Sequence, residues 1–508
     1  MKKLLLLAAV LFSALLSASE TMKVLLTSGS TLYMRSSWSA TRDLFRVCGL
    51  GGNKQFNYSY SAIVDKKVTD RDLMLKGKYP GHYPGRFHWC GDSVGVMHLY
   101  PDPAKKNIYI LSGNHGYSGS EITQTDHGFT KADVGREFGG KFRICAVLSK
   151  DKFRVVPAGK QADFPKAQKV TSFINFQGTR TLSRTYLLDG KELVPGKILY
   201  GREVTVLEKT ATCVFEALMA AGLDHNKVND FYTVHDYAYN FYPNGACRVE
   251  NKVTFMRDVL LIGVSSMQDS DLELGKTYDF YEKYIPKVKK FALPENTPWQ
   301  NTQVRIFDGK KYRTDSRTYD FENIQDMTEK RKGDNKLNPR FEIAVKGGFV
   351  DPADLPDRWI EFVGKTENGK KVRKVGNVLG LDSESGVLRS SERAKNKLAF
   401  IIPSWNKMYP THFSPGKKVV AKGTTLEMNG YRCYFNPENI GDATVLFTIP
   451  GKKGFKVYAD FHKSVKDYVL PFAPGAKCRI VEKTPSVTLK ENKVSVAGAY
   501  GRIVVAVE

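Results

Sequence analysis

Apolar and polar residues alternate with a period of two along most of this chain, the spacing of a half-buried strand and not of a helix. The clearest such runs are Lys169–Phe176, Lys197–Leu207, Arg248–Phe255, Thr302–Phe307, Lys417–Leu426 and Gly454–Phe461, each bounded by Gly, Pro, Asn or Asp. Between them fall Asp189-Gly190, Asn244-Gly245, Asp308-Gly309, Asn368-Gly369 and Asn429-Gly430. Such pairs tolerate the positive φ of tight turns, so neighbouring runs are expected to be joined as hairpins. Helical spacing is confined to Thr212–Leu223, ending near Gly222, with a turn of helix expected in Asp351–Trp359. The pattern predicts an all-β, mainly antiparallel protein: a large multi-sheet β-sandwich with few short helices.

At 508 residues the chain exceeds one ordinary domain. Residues 1–19 have the layout of a cleavable signal peptide: Lys2 and Lys3, an apolar run from Leu4 to Leu16, then Ser17, Ala18 and Ser19. The expectation is a secreted or periplasmic protein, and no later run is apolar for long enough to serve as a transmembrane segment. Pro157, Gly159 and Pro165 interrupt the strand pattern. This suggests an N-terminal β-rich region at 20–160, a central antiparallel sandwich at 161–415 and a C-terminal sheet region at 416–508. Seven cysteines, without CxxC spacing, argue against a disulfide framework or a zinc ribbon.

Charge narrows the partner. The chain has 77 Lys and Arg against 53 Asp and Glu, a net charge of +24, and loss of Lys2 and Lys3 still leaves 24 − 2 = +22. An exported protein with such a field concentrates anions around itself. With no metal-and-base set for phosphodiester cleavage evident, the expected partner is an anionic polysaccharide and not nucleic acid. Oligomeric state is left open by the sequence.

Three segments carry candidate chemistry. Residues 82–127 hold five of the nine histidines and a strand running into a glycine-rich turn that presents Asn114, His115 and Tyr117. Gly113-Asn114-His115, with Gly91-Asp92 upstream, resembles part of a calcineurin-like metallophosphoesterase, but that family's Asp-x-His near the first strand and its Gly-His-x-His block late in the chain are missing. Gly91-Asp92-Ser93-Val94 resembles the nucleophile block of GDSL esterases, whose Asp-x-x-His is also missing. Both families are α/β, against the β pattern.

The second segment is Thr233-Val-His-Asp-Tyr-Ala-Tyr-Asn-Phe-Tyr-Pro-Asn-Gly245. On a strand His235, Tyr237, Tyr239 and Phe241 share one face, and the Asn244-Gly245 turn leads back to Arg248. This is either an acid/base set or an aromatic face filling a sheet interface. The third segment, Arg393–His412, sets Arg393, Lys407 and His412 among Trp405 and Tyr409. Rings beside cations suit a sugar acid, the ring face meeting the pyranose and the cation its carboxylate.

β-Elimination across a uronic acid needs a group on the carboxylate, a base for the C5 proton and an acid for the leaving oxygen. Asn or Arg, His and Tyr supply these, with nearby cations favouring a phenolate. In overall character, and in the His235/Tyr239 and Asn114/His115/Tyr117 segments, the chain resembles the secreted β-sandwich polysaccharide lyases, including those with a galactose-mutarotase-like multi-sheet sandwich. The resemblance implies His235 as base or carboxylate partner, Tyr239 as acid or base, and Asn114 with His115 as neutralising groups. Tyr117, Tyr237, Arg248, Arg393, Trp405, Lys407, Tyr409 and His412 would bind substrate. No cofactor is required by this chemistry, and a divalent cation stays open. A glycoside hydrolase or a non-catalytic glycan-binding protein are the alternatives.

Overall fold

The computed structural model describes residues 21–50, 56–67, 69, 108–111, 141–149, 152–154, 179–213, 217, 220–222, 224–257, 259–265, 280–285, 302–307, 312–315, 341–342, 358–381, 399–402, 407–413, 418–427 and 429–508. Among these the chain is an all-β protein of several sheets, almost wholly antiparallel. A six-stranded sheet runs in the order Ile198–Gly201, Met22–Leu26, Leu32–Ser37, Arg42–Leu50, Phe56–Asp65, Ile108–Leu111. A twelve-stranded sheet is centred on Val204–Cys213, Phe231–Phe241, Ala246–Phe255, Gly430–Phe435, Lys370–Leu381 and Arg358–Glu367. Its one parallel pair joins Phe280–Ile285 to Thr302–Phe307. A seven-stranded sheet includes Lys141–Ser149, Val259–Ser265 and Lys407–Phe413, and four- and three-stranded sheets make up the C-terminal part.

Period-two burial explains the layering. On one face of the large sheet Tyr186, Leu188, Val204, Val206, Tyr237, Tyr239, Phe241, Cys247 and Val249 pack on Met22, Val24, Leu26, Leu32, Met34 and Cys48 of the six-stranded sheet. On the other face Ala246, Ile360, Phe362, Val378, Tyr431, Cys433 and Phe435 pack on Phe447, Val457, Tyr458 and the rest of the C-terminal core. The central strands are thus apolar on both sides, and each buried large side chain contributes about 1.5–3 kcal/mol of transfer free energy. Arg46 fastens the first interface: fully buried, it donates to the carbonyl oxygens of Tyr242 (2.5 Å) and Ala246 (3.1 Å) at the Asn244-Gly245 hairpin.

Several expectations change in detail. Lys197–Leu207 is two strands in two sheets, Ile198–Gly201 and Val204–Cys213, because the chain bends at Arg202. Lys417–Leu426 is likewise split, into Lys418–Val420 and Thr425–Glu427, by a turn at Lys422-Gly423. Asp189-Gly190 and Asn368-Gly369 form the expected turns, all four residues at positive φ. Asn429-Gly430 is not a hairpin: Thr425–Glu427 and Gly430–Phe435 both pair with Ala246–Phe255, and the Asn429 side chain fills the gap by accepting from the Asn251 amide at 3.2 Å. Thr212 and Cys213 end a strand, so helix begins only after them, with Ala217 and Ala220 helical.

The sheets do not respect the blocks 20–160, 161–415 and 416–508. Ile198–Gly201 completes the N-terminal sheet, and Gly430–Phe435 lies inside the large central one. The signal segment, Lys169–Phe176 and residues 351–357 lie outside the described residues. No helix among the described residues is long and apolar enough to cross a membrane.

Candidate functional site

The face of the large sheet that covers the six-stranded sheet changes character along its strands. Strand register places Tyr186, Val206, Tyr239 and Val249 in one row, Arg184, Glu208, Tyr237 and Asn251 in the next, and Thr210, His235 and Val253 beyond that. The first row packs on the apolar core; the other two gather polar groups from four adjacent strands. Opposed side chains on neighbouring strands stand about 5 Å apart, so a guanidinium, a carboxylate, a phenol, an amide and an imidazole share one small area. Glu208, Thr210, Thr233, His235 and Asn251 are all buried there.

Two hydrogen-bonded chains run through the cluster. Arg184 donates Nε and Nη2 to Oε2 of Glu208 at 2.7 and 2.5 Å, and Thr210 donates its hydroxyl to Oε1 at 3.1 Å. The Tyr237 hydroxyl lies 3.0 Å from Nδ1 of His235, and the Thr233 hydroxyl 3.0 Å from Nε2. The rings of His235, Tyr237 and Tyr239 stack at centroid spacings of 5.5 Å. Burial pulls the His235 pKa down to about 4, against weaker opposition from Asn251 and the Asp236 carboxylate, so its imidazole is neutral at pH 7. Burial, reinforced by the Glu208 charge, pushes the Tyr237 phenol well above its ordinary value. The expected phenolate is therefore not favoured at Tyr237: no cation outweighs the loss of solvent.

The structure brings His235, Tyr237 and Tyr239 together as expected of one strand face, but in a buried stack, with His235 0 % exposed and both its ring nitrogens engaged. Arg248 is not with them. It faces the opposite side of the sheet, paired with Glu250 at 2.9 Å and reaching the Pro450 carbonyl. The guanidinium that does meet the His235 face is Arg184, which with Glu208 and Asn251 escaped the sequence reading. Their signal was a polar residue at an inward position of an otherwise apolar alternation. Lys407, Tyr409 and His412 lie on a strand of the seven-stranded sheet, apart from the sheet that carries His235; their side chains, and Asn114, His115, Tyr117, Arg393 and Trp405, lie outside the described residues.

Among the described residues no three His, Cys, Asp or Glu side chains gather as a metal-ligand set. No family model and no curated protein matches the chain. Among solved structures, the galactose 1-epimerase from Lactobacillus acidophilus NCFM aligns with 80% of this chain and 99% of its own, at 8% identity and a TM-score of 0.28. A GalM/aldose epimerase homologue from C. elegans aligns with 82% of this chain and 99% of its own, at 7% identity and a TM-score of 0.27.

Proposed function

We propose that the protein is an exported enzyme that cleaves a uronic-acid-containing polysaccharide by β-elimination, at the Arg184–Glu208–Tyr237–His235 face of the large sheet. The observation that carries the reading is the concentration of hydrogen-bonding and charged groups from four strands on a sheet face whose other rows are apolar. A buried ion pair is commonly no more stabilising than apolar packing of the same volume, so such a cluster points toward function. The strongly positive net charge, which loss of Lys2 and Lys3 barely changes, supplies the attraction for the polymer.

In this reading the cluster opens to admit a uronate, whose carboxylate takes the place of Glu208 on Arg184. Neutral His235 accepts the C5 proton; the C4–O bond breaks as the C4=C5 bond forms; and the Tyr237 phenol, protonated at neutral pH, gives its proton to the leaving oxygen. A carboxylate beside His235 would raise its proton affinity.

The complete burial of His235 favours a second reading, in which the cluster is structural and the protein holds an anionic glycan without cleaving it. Incubation with uronic and sulfated polysaccharides, read by ultraviolet absorbance of the unsaturated product and by reducing ends, separates the two. Rise of both supports elimination. Reducing ends without absorbance mean hydrolysis, and retention on the polymer without product means binding; either overturns the lyase.

A further inference from the structure

Asn251 borders both His235 and Tyr237 on the polar face of the large sheet. It stands directly across the ladder from Tyr237, which has Glu208 on its other side, and diagonally from His235, whose own partner across the ladder is Val253. Opposed residues of this kind lie about 5 Å apart and diagonal ones about 7–8 Å, so one amide reaches both rings. Asn251 is 6% exposed, and its backbone is tied down where its amide meets the Asn429 side chain. Its own side-chain Oδ1 is buried and receives no hydrogen bond among the described residues. A buried acceptor left without a donor is a cost to the fold. Kept beside two proton-transferring groups, it points to a second state in which the donor is present.

The charge changes of the elimination supply that state. Once His235 has taken the C5 proton and Tyr237 has given its own to the leaving oxygen, the face holds an imidazolium beside a phenolate. Burial is the largest influence on both groups and disfavours both charged forms; Asn251 acts against it at each, favouring the protonated imidazole and the ionised phenol. One amide does both because its two ends differ: the oxygen accepts from a cationic N–H, and the NH2 donates to an oxygen anion. The carboxylates nearby do not. Glu208, although paired with Arg184, opposes the phenolate, and Asp236, on the other face of the strand, favours only the imidazolium.

We propose that Asn251 is a positioning residue for β-elimination, a fixed dipole whose Oδ1 stabilises the imidazolium of His235 and whose Nδ2 stabilises the phenolate of Tyr237. The inference rests on the lyase reading and deepens it: the charge pair made by proton transfer meets a group already oriented for it, and no reorganisation is needed at that moment. The protons balance. C5 loses one to His235 and the leaving oxygen gains one from Tyr237; passage of one proton from Nδ1 of His235 to the Tyr237 oxygen, across the 3.0 Å between them, then returns both residues to neutrality.

Turnover of polygalacturonate, alginate and hyaluronate by the full chain, followed across pH by absorbance of the unsaturated product, tests it. Asn251→Leu, of similar volume and without the dipole, is expected to lower kcat about a hundredfold with KM little changed. It should also move the acid limb of the kcat/KM profile, which reports His235 in the free enzyme, to lower pH. Asn251→Asp keeps the shape and sets a carboxylate beside both groups, so the acid limb should move to higher pH while kcat still falls, because the phenolate loses its donor. This variant carries the test alone if circular dichroism shows the apolar one unfolded. Loosened packing would not move the limb in opposite directions. Full kcat in Asn251→Leu, or an acid limb that Asn251→Asp leaves in place, overturns the role of Asn251 and leaves the lyase reading intact. An unsubstituted protein that yields no unsaturated product from any of the three polymers overturns the elimination, and this role with it.

Discussion

The Tyr237 hydroxyl lies 3.0 Å from Nδ1 of His235, two residues apart on one strand, with the two rings stacked 9° from parallel. Side chains at i and i+2 project from the same face of a strand, so this contact follows from local geometry. Its burial does not: that comes from the layers packed around it. The consequence is an imidazole held neutral between two hydroxyls.

That neutrality predicts a pH dependence of stability. The folded pKa of His235 is about 4 against an ordinary value of 6.5, so the unfolded chain takes up a proton that the folded one refuses. Stability should fall as pH drops from about 6.5 to about 4, by on the order of 3 kcal/mol, and this contribution should level off below. Urea unfolding across that range should lose this slope in His235→Gln.

Arg46 joins two sheets through two backbone carbonyl oxygens, and its guanidinium lies 5.6 Å from the centre of the Phe241 ring. Arg46→Met keeps most of the volume and leaves both oxygens buried without that donor, with an expected loss of about 2–5 kcal/mol. Lys in this position cannot reproduce the planar fork and should rescue only in part. The denaturant midpoint measures both.

Arg502 grips Asp460 with two bonds of 2.9 and 3.1 Å, and Arg358, from the large sheet, lies within 3.5 Å of Glu482 and 3.9 Å of Asp460. Burial would raise the Asp460 pKa, but Arg502 and then Arg358 outweigh it and hold it below the ordinary 3.8. Its contribution is therefore present above pH 3.8 and lost as pH falls toward the lower folded value. Asp460→Asn leaves two buried guanidiniums short of a counter-charge, and about 3–5 kcal/mol of stability should go with it at pH 7. Comparison of its urea midpoint with that of the unsubstituted chain decides this.

Gly380 lies opposite Tyr431 on the neighbouring strand, and a Cβ there would fall 2.1 Å from the ring; Gly376 stands in the same relation to Phe435, at 2.2 Å. The rings lie over the glycines and fill the layer between the large sheet and the C-terminal core. Gly380→Ala should displace Tyr431 and cost about 1–3 kcal/mol, visible as a lowered melting temperature. A melting temperature equal to that of the unsubstituted chain would contradict the packing described.

Much of the frame was legible in the chain because strands announce themselves by period two and turns by Asn, Asp and Gly. Thr302–Phe307 and Arg248–Phe255 fall inside observed strands, and Asn368-Gly369 sits at a hairpin. What local pattern could not say is which strands share a sheet. Ile198–Gly201 and Val204–Cys213 are nearly continuous in sequence, yet they add to different sheets. Asn429-Gly430 has the residues of a turn but fills a gap in a pairing fixed by a strand about 180 residues earlier in the chain.

The same division holds for the candidate site. Alternation alone determined that His235, Tyr237 and Tyr239 share a face, because that depends only on strand geometry. Which groups meet that face was decided across strands: Arg184 and Glu208 arrive through the register of two neighbouring strands, while Arg248, just past the Asn244-Gly245 turn, falls on the other side. Charge state was decided there too, since a neutral His235 and a protonated Tyr237 follow from burial, and burial belongs to the assembled layers and not to any single segment.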